Sequence, residues 1–232
     1  MIASKAKLKP VRKSGFNKQR SRILIVDDHP LIRKGISTLI AQEPDLEICG
    51  EAADVSEALR QVKLTSPDVV LIDISLKNGH GIELIEQIKA RNDQARMLVS
   101  SMYDEALYAE RVMRAGAMGY INKQEATEKL VDAIRLVLDG QVYLSTQMTE
   151  RMLHRVVDGR PLEDDPISRL SNRELEVFEL IGRGLTTRQI AQNLCLSPKT
   201  IESHREKIKT KLALRNSTEL SRRAVQWALE KG

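Results

Sequence analysis

The stretch "RILIVDDHP", residues 22–30, joins an apolar, partly β-branched run to two adjacent carboxylates, Asp27 and Asp28. A second stretch, "PDVVLIDIS" at residues 67–75, has the same form and places Asp73 after its apolar run. Unbroken apolar runs of this length are typical of strands buried on both faces, as in a parallel sheet covered by helices. The two stretches therefore predict buried strands that end in acidic side chains.

Short apolar runs alternate with segments of helical periodicity between residues 22 and 139. The predicted strands lie near residues 22–26, 46–52, 68–72, 96–100 and 118–121. The predicted helices lie near residues 30–42, 54–65, 80–91, 104–115 and 125–139. This alternation predicts an α/β doubly wound, flavodoxin-like domain with a five-stranded parallel sheet, for which we expect the strand order 2-1-3-4-5.

The last part of the chain carries three helix-start signals of a small all-α module. Ser171 with Glu174 and Thr186 with Gln189 have the spacing of a capping box, and Ser197 precedes a proline. A further helix is predicted at residues 217–230, which gives a four-helix module.

These patterns divide the chain into four parts. They are a basic flexible N-terminal tail at residues 1–21, the α/β domain at 22–139, a linker with an amphipathic helix at 140–167, and the helical module at 168–232. The net charge is +8 over residues 1–22, −7 over 23–140 and +6 over 168–232. The basic C-terminal module predicts a polyanionic partner, and the tail is either a solvated arm or an auxiliary phosphate-binding arm.

Composition excludes several classes of protein. Aromatic residues make up only 3% of the chain, so stacking platforms for single-stranded nucleic acid are not expected. Apolar runs are too short for a membrane helix, and the N-terminus lacks the apolar middle of a signal peptide. We expect a cytoplasmic protein without a membrane partner, whose Cys49 and Cys195 are core thiols.

The acidic strand ends predict a cation site. Functional groups of an open parallel sheet gather at the carboxyl ends of its strands, where the strand order reverses. In the expected order, Asp27, Asp28 and Asp73 converge in one crevice, and carboxylates that close repel one another unless a cation intervenes. We expect Mg²⁺ with Asp28 and Asp73 as direct ligands, help from the backbone carbonyl of Ser75, and Asp27 acting partly through water.

A carboxylate beside Mg²⁺ can attack phosphorus and form an aspartyl phosphate. Lys123, after the last predicted strand, is placed to pair with phosphoryl oxygens, and Ser101, after the fourth, to donate a hydroxyl hydrogen bond. Taken singly, each residue has an ordinary explanation as a helix cap or a solvated charge. Their joint occurrence at the strand ends favours a phosphorylation pocket.

Four segments within residues 22–139 resemble the receiver domain of bacterial two-component response regulators: "ILIVDDHPLIRKGI", "PDVVLIDISL", "GIELIEQI" and "SMYDEALYAERVMRAGAMGYINK". The resemblance implies a role for each matching position: Asp73 is the phosphoacceptor, Asp27 and Asp28 hold Mg²⁺, Ser101 is the switch hydroxyl, Tyr120 is the rotameric aromatic residue and Lys123 is the phosphate partner. It also implies a sensor histidine kinase as the phosphoryl donor.

One segment departs from the receiver pattern. The family usually has a Met-Pro or Leu-Pro pair where this chain has Leu76 and Lys77. Without the proline, we expect the loop "SLKNGHG" to be more mobile, and Lys77 adds a positive charge near the pocket. This could alter phosphate lifetime or partner recognition, but it removes no ligand. His80 in this loop is predicted to be a solvated side chain and not a metal ligand.

The segment "LSPKTIESHREKIKTKLAL", residues 196–214, predicts a helix whose apolar face holds Ile201, Ile208 and Leu212. A polar opposite face with basic flanks suits the major groove of DNA, although it is also compatible with a merely soluble helix. The expected DNA-contacting residues are Lys199, Thr200, Glu202, Ser203, Arg205, Glu206, Lys207 and Lys209.

Residues 168–232 resemble the LuxR-type helix-turn-helix domain, and the whole chain resembles the NarL/FixJ class of response regulators; the matches include Arg173-Glu174, Glu176-Val177, Ile190-Ala191, Thr200-Ile201 and Lys211-Leu212. Many relatives have Lys where Glu202 stands, so we expect an altered base preference, because a carboxylate accepts from a cytosine amino group. The outer face of the last helix is the expected dimer contact, and Trp227 is expected in the core. The resemblance also suggests that the receiver masks the recognition helix until it is phosphorylated.

The chain is therefore predicted to be a response regulator transcription factor and not an enzyme. Phosphoryl transfer from a sensor histidine kinase to Asp73, with Mg²⁺, would control homodimer formation and sequence-specific binding to double-stranded DNA, with RNA polymerase as a further candidate partner. One alternative is a phosphohydrolase with an aspartyl-phosphate intermediate, which the helix-turn-helix module argues against. The other is a DNA-binding protein with an inert acidic pocket, which the complete set of pocket residues argues against.

Overall fold

The computed structural model describes residues 20–77, 79–91, 94–158 and 166–231. The tail predicted at residues 1–21 lies outside them except for its last two residues. The strands are β1 (Ser21–Val26), β2 (Leu46–Ala52), β3 (Val69–Ile72), β4 (Ser75–Leu76), β5 (Gly79–His80), β6 (Arg96–Ser101) and β7 (Gly119–Asn122). The helices are α1 (Pro30–Ile40), α2 (Val55–Thr65), α3 (Gly81–Arg91), α4 (Glu105–Ala115), α5 (Ala126–Leu138), α6 (Thr146–Asp158), α7 (Asn172–Gly182), α8 (Thr187–Asn193), α9 (Pro198–Lys211) and α10 (Ser217–Lys231).

The main sheet has five strands in the order β2-β1-β3-β6-β7, and every neighbouring pair is parallel. Since β6 and β7 correspond to the fourth and fifth predicted strands, the expected order and the flavodoxin-like fold are confirmed. The order reverses between β1 and β3, which are hydrogen-bonded neighbours. The strand ends of "RILIVDDHP" and "PDVVLIDIS" therefore lie side by side.

Helices cover both faces of the sheet, and the side chains of β1 alternate between the two apolar layers. Ile23 and Ile25 are buried with residues of α1 and α5, whereas Leu24 and Val26 are buried with residues of α2, α3 and α4. All four side chains are at most 1% exposed. This two-sided burial explains why the strand sequence is continuously apolar instead of alternating.

The loop that follows β3 contains a small hairpin that the sequence did not predict. Strands β4 and β5 pair antiparallel, with Ser75 opposite His80 and Leu76 opposite Gly79. The prediction that His80 is solvated was wrong, since this residue is 1% exposed and its Nδ1 accepts a hydrogen bond from the Ile82 amide at 3.2 Å. Burial lowers the pKa of His80 to about 4, so the ring is neutral near pH 7.

The C-terminal helices begin where the capping signals predicted. Ser171 and Thr186 each form a complete capping box, and the Ser197 side chain caps α9 ahead of its proline. Helix α10 packs on α7 through Phe178 and Trp227, whose rings meet edge to face with centroids 5.4 Å apart. Trp227 is 4% exposed, which confirms its predicted place in the core.

One core prediction was wrong in this module. Cys195 is exposed, and its φ of 52° places it in the left-handed region, in the turn between α8 and α9. The chain must reverse direction there, so this side chain projects from the turn instead of packing under it. Cys49 on β2 is half-buried.

Helix α6 occupies the segment in which an amphipathic linker helix was predicted. Its Met148 is 3% exposed and joins the core on the α4 side of the sheet. The Ser145 amide, just before the helix, donates to Glu105 Oε1 of α4 at 2.9 Å. Among the described residues, no helix is both long and apolar enough to cross a membrane.

Candidate functional site

The acidic residues predicted at the strand ends come together at the carboxyl edge of the sheet. Asp27 and Asp28 follow β1, Asp73 follows β3, and one ligand atom from each lies within 4.8 Å of the others and of the His29 ring. Asp27 and Asp73 are 2% and 5% exposed. The backbone fixes both positions, because the Asp27 amide donates to Ala52 and the Asp73 amide donates to Val26.

Lys123, from the loop after β7, supplies the positive charge of this cluster. Its Nζ donates to Asp27 Oδ2 and to Asp73 Oδ2, each at 2.6 Å, and its side chain is only 6% exposed. Burial alone would lower the pKa of Lys123, but the charges of Asp73 and Asp27 outweigh it and hold that pKa above its ordinary value. The ammonium group is therefore charged over the whole physiological range.

The ionised form of the Asp73 carboxyl is disfavoured despite its pairing with Lys123. Burial raises its pKa to about 6, with Asp27 acting in the same direction and Lys123 opposing it. A raised pKa means that the ionised form is less stable here than in water, so the carboxylate gains from any added cation or from chemical neutralisation.

The donor set fits a hard divalent cation. Asp28 Oδ1 is a buried oxygen without a hydrogen-bond partner: it lies 2.7 Å from His29 Nδ1, but the two groups are not aligned for a hydrogen bond. Carboxylate oxygens of Asp27, Asp28 and Asp73 together with a backbone carbonyl are the ligand types that Mg²⁺ prefers. The His29 ring also reaches the cluster, although the sequence interpretation did not include it.

Ser101 and Tyr120 lie on β6 and β7, the two strands beyond β3 in the sheet. Ser101 ends β6, is fully buried and accepts a hydrogen bond from the Tyr103 amide at 3.3 Å. Tyr120 on β7 is 1% exposed, and its hydroxyl donates to the Tyr103 carbonyl at 2.6 Å. The aromatic ring thus already lies inside the protein, and both predicted switch residues are bonded to Tyr103.

Two residues that lie beside this site were assigned no role from the sequence. Tyr103, two positions after Ser101, lies in the loop before α4, and its hydroxyl donates to Glu176 of α7 at 2.6 Å. Glu176 is fully buried, which is unusual for a carboxylate and requires partners. No local pattern connects the two residues, since they are separated by 73 positions.

The polar face of α9 is exposed. Among the residues predicted to contact DNA, Lys199, Glu202, Ser203, Glu206 and Lys207 are exposed and Thr200 is partly exposed. The resemblance suggested that the receiver masks this helix, but in the structure these side chains remain accessible. The side-chain hydrogen bonds described between the two halves instead involve α7 and the segment just before it.

Arg205 and Lys209 lie differently from the other predicted DNA contacts. Their side chains are 12% and 16% exposed, and their charged ends pair with Glu202 at 3.7 Å and with Glu206 at 2.8 Å. Glu202 also accepts a hydrogen bond from the Thr187 hydroxyl of α8 at 2.7 Å. The acidic residues of the face are therefore partly neutralised by bases on the same helix.

Comparisons with known proteins agree with both halves of this description. Residues 23–135 match the response regulator receiver domain, and residues 168–224 match the luxR family of bacterial regulatory proteins. The oxygen regulatory protein NreC of Staphylococcus haemolyticus is 36% identical over 215 residues, which cover 90% of this chain and 97% of NreC.

Solved structures show the same likeness. RcsB from Salmonella enterica serovar Typhimurium, bound to promoter rprA in the presence of phosphomimetic BeF3⁻, has a TM-score of 0.58 at 26% identity and covers 88% of this chain and 98% of that one. A LuxR-family two-component response regulator from Aurantimonas sp. has a TM-score of 0.56 at 34% identity, covering 60% of this chain and 99% of that one.

Receiver domains bind Mg²⁺ at an acidic pocket and receive their phosphoryl group from a histidine kinase, and the acidic cluster of this chain occupies that edge of the sheet. The luxR-family match makes the protein a DNA-binding transcription regulator and not an enzyme. The chain belongs to the two-component response regulators of the NarL/FixJ type, in which a receiver domain precedes a luxR-family helix-turn-helix domain.

Proposed function

We propose that Asp73 is the phosphoacceptor of this response regulator, and that Asp27, Asp28, Asp73 and the backbone carbonyl of Ser75 hold Mg²⁺. When bound, the cation supplies positive charge for the phosphoryl oxygens and lowers the repulsion among the carboxylates. The observation that carries this proposal is the position of Lys123 Nζ, 2.6 Å from a carboxylate oxygen of both Asp27 and Asp73.

The chemistry assigned to the chain is a single phosphoryl transfer. A carboxylate oxygen of Asp73 attacks the phosphorus of a phosphohistidine on the sensor kinase, the new oxygen–phosphorus bond forms, and the nitrogen–phosphorus bond breaks with its electron pair returning to the imidazole. The Lys123 ammonium group pairs with the Asp73 carboxylate before the transfer and would pair with the phosphoryl oxygens after it. Ser101 is the proposed hydroxyl donor to those oxygens, and Tyr120 the aromatic residue that follows it.

Acetyl phosphate with Mg²⁺ tests this assignment without a kinase. We expect intact-mass measurement to show addition of one phosphoryl group to the wild type, no addition with excess chelator, and none to Asp73→Asn. The variant preserves the shape of the side chain but removes the nucleophilic charge. Equal labelling of Asp73→Asn would contradict the assignment, and a receiver of known competence serves as the positive control.

The α9 face is the proposed site of sequence-specific binding to double-stranded DNA, with exposed side chains for base edges and lysines for phosphates. Binding as a homodimer to paired half-sites is proposed from the RcsB structures, which include two RcsB dimers on two parallel DNAs. We propose that the protein acts in the cytoplasm, where it has access to DNA. RNA polymerase is a proposed further partner. The predicted borders, 22–139 for the receiver and 168–232 for the DNA-binding domain, stay part of this proposal.

Two substitutions on α9 distinguish the contacts to phosphate from the contacts to bases. Lys207→Ala should weaken binding to all sequences alike and lower the slope of log affinity against log salt concentration by about 1. Glu202→Gln should instead change the preferred base at one position of a selected site, worth about 1–3 kcal/mol. Site selection from random DNA followed by salt titration measures both effects, with Lys34→Ala on α1 as the control lysine.

A further inference from the structure

We infer that Glu176 of the DNA-binding domain is a positioning residue of the phosphorylation site, because one of its carboxylate oxygens joins the two receiver loops that flank Asp73. The inference rests on the proposed function of Asp73. It assigns the coupling between phosphorylation and the DNA-binding half to a contact on α7, and not to the covering of α9.

The contact is a buried clasp, defined here as Glu176 with Ser75 and Tyr103. The Ser75 hydroxyl donates to Glu176 Oε1 at 2.9 Å, and the Tyr103 hydroxyl donates to the same oxygen atom at 2.6 Å. Arg173 Nη1 donates to the other oxygen, Oε2, at 2.5 Å. Glu176 is fully buried, so its side-chain oxygens must find their hydrogen-bond partners within the protein.

Both donors are attached directly to the phosphorylation site. The Ser75 amide donates to Asp73 Oδ1 at 3.4 Å, and the Ser75 carbonyl is a proposed Mg²⁺ ligand. On the other loop, the Tyr103 amide donates to Ser101 Oγ, and the Tyr103 carbonyl accepts from Tyr120. The backbone of each clasp donor is thus held by a residue that is proposed to act on the phosphoryl group.

The helix that carries Glu176, α7, is held against the receiver at its beginning. Arg111 of α4 donates to the carbonyls of Ile167 and Leu170 and to Asn172 Oδ1, at 3.2, 2.7 and 3.1 Å. These bonds fix the beginning of α7 against α4. Glu176 is therefore held close to both loops through the attachment of α7 to α4.

Because a single oxygen atom accepts from both loops, it constrains the distance between them. A phosphoryl group on Asp73 occupies the space between these loops and requires the Ser101 hydroxyl to turn toward it. Either change moves Ser75 or Tyr103 relative to Glu176, so phosphorylation and the closed clasp compete. By linkage, a weaker clasp must favour phosphorylation by the same factor by which phosphorylation weakens the clasp.

The test is the rate of phosphorylation of the full chain by acetyl phosphate with Mg²⁺, in Tyr103→Phe and Glu176→Gln. We expect each variant to be labelled about tenfold faster than the wild type, because only molecules with an open clasp react and one hydrogen bond to a buried charge changes the open fraction by about this factor. Damage to the fold would slow labelling instead, so an increase is specific to release of the clasp. Tyr143→Phe, a half-buried tyrosine outside the clasp, should label at the wild-type rate.

A second readout is the distance between spin labels on α2 and α10, measured with and without acetyl phosphate. Phosphorylation should lengthen this distance in the wild type, and both clasp variants should show the longer distance before phosphorylation. Labelling of the wild type with unchanged rates and distances in both variants would overturn the inference while leaving Asp73 as the phosphoacceptor. No labelling of the wild type would overturn the proposed function and this inference together.

Discussion

Gly81→Ala is expected to destabilise the protein by at least about 3 kcal/mol, because the position has no room for a side chain. A Cβ there would lie 2.2 Å from the Asp73 backbone oxygen and 2.8 Å from the Ile74 Cα. Both neighbours are backbone atoms, so neither can rotate away. Gly81 also donates its amide to the Ile74 carbonyl at 2.7 Å, which ties the beginning of α3 to the segment after Asp73.

The same substitution should reduce phosphorylation by acetyl phosphate at least about tenfold, since the clash displaces the backbone that carries Asp73, the proposed nucleophile. Urea unfolding and intact-mass labelling measure the two effects on one sample. Gly35→Ala is the matched control: this glycine lies in α1, and a Cβ there would meet nothing within 4 Å, so alanine should stabilise by about 0.5–1 kcal/mol. Equal stability of the two variants would show that the close approach at Gly81 is relieved by movement of the loop.

Asp73→Asn is expected to stabilise the protein near pH 7.5, in the presence of a chelator, by about 3 kcal/mol. Burial, with Asp27 in the same direction, raises the pKa of Asp73 from 3.8 to about 6 in the folded protein. The folded state therefore binds the Asp73 proton more tightly than the unfolded state does. This contribution is complete below pH 3.8 and is lost as the pH rises through about 6.

The gain from Asp73→Asn should accordingly shrink to about half at about pH 5, because the wild-type carboxyl is then mostly protonated in the folded state. Lys123 retains Asp27 as a partner in the variant, so the substitution does not strand its charge. Unfolding by urea at several pH values measures the difference, with Asp132→Asn on the exposed side of α5 as the control substitution. A gain that is independent of pH would contradict an origin in the Asp73 titration.

The ionised carboxylate of Asp73 lowers the stability of the folded protein, which is typical of a residue retained for a reaction and not for folding. The buried carboxylates cost free energy that a bound cation or a phosphoryl group can offset, and Asp28 Oδ1 still lacks a hydrogen-bond partner. Addition of Mg²⁺ should therefore stabilise the wild type more than Asp73→Asn, since a ligand that binds only the folded state shifts the unfolding equilibrium.

The accessible α9 face changes how regulation is to be explained in this chain. If the receiver does not cover the residues proposed to contact DNA, we expect phosphorylation to act on the contact between the two halves or on dimer formation. The clasp at Glu176 provides a physical route for the first, because it links Ser75 and Tyr103 to a helix of the DNA-binding domain. The exposed Leu229 of α10 marks a surface available for the second.

Local patterns in the sequence were sufficient for the secondary structure except the β4–β5 hairpin, and for most of the pocket. The apolar runs before Asp27 and Asp73 predicted buried parallel strands, and the expected strand order brought these carboxylates together with Lys123. Capping boxes at Ser171 and Thr186 predicted where two C-terminal helices begin. These features depend on neighbours in the chain or on one sheet, so periodicity and spacing encode them.

Contacts between distant segments were decided only by the tertiary structure. The burial of His80, the exposure of Cys195 and the clasp at Glu176 all depend on how a loop or a domain packs on another part of the chain. Ser75 and Glu176, for example, are separated by 101 positions, and no spacing rule relates them. Sequence patterns record which face of an element is apolar, whereas the choice of partner for a buried polar group is made by the packing of complete elements.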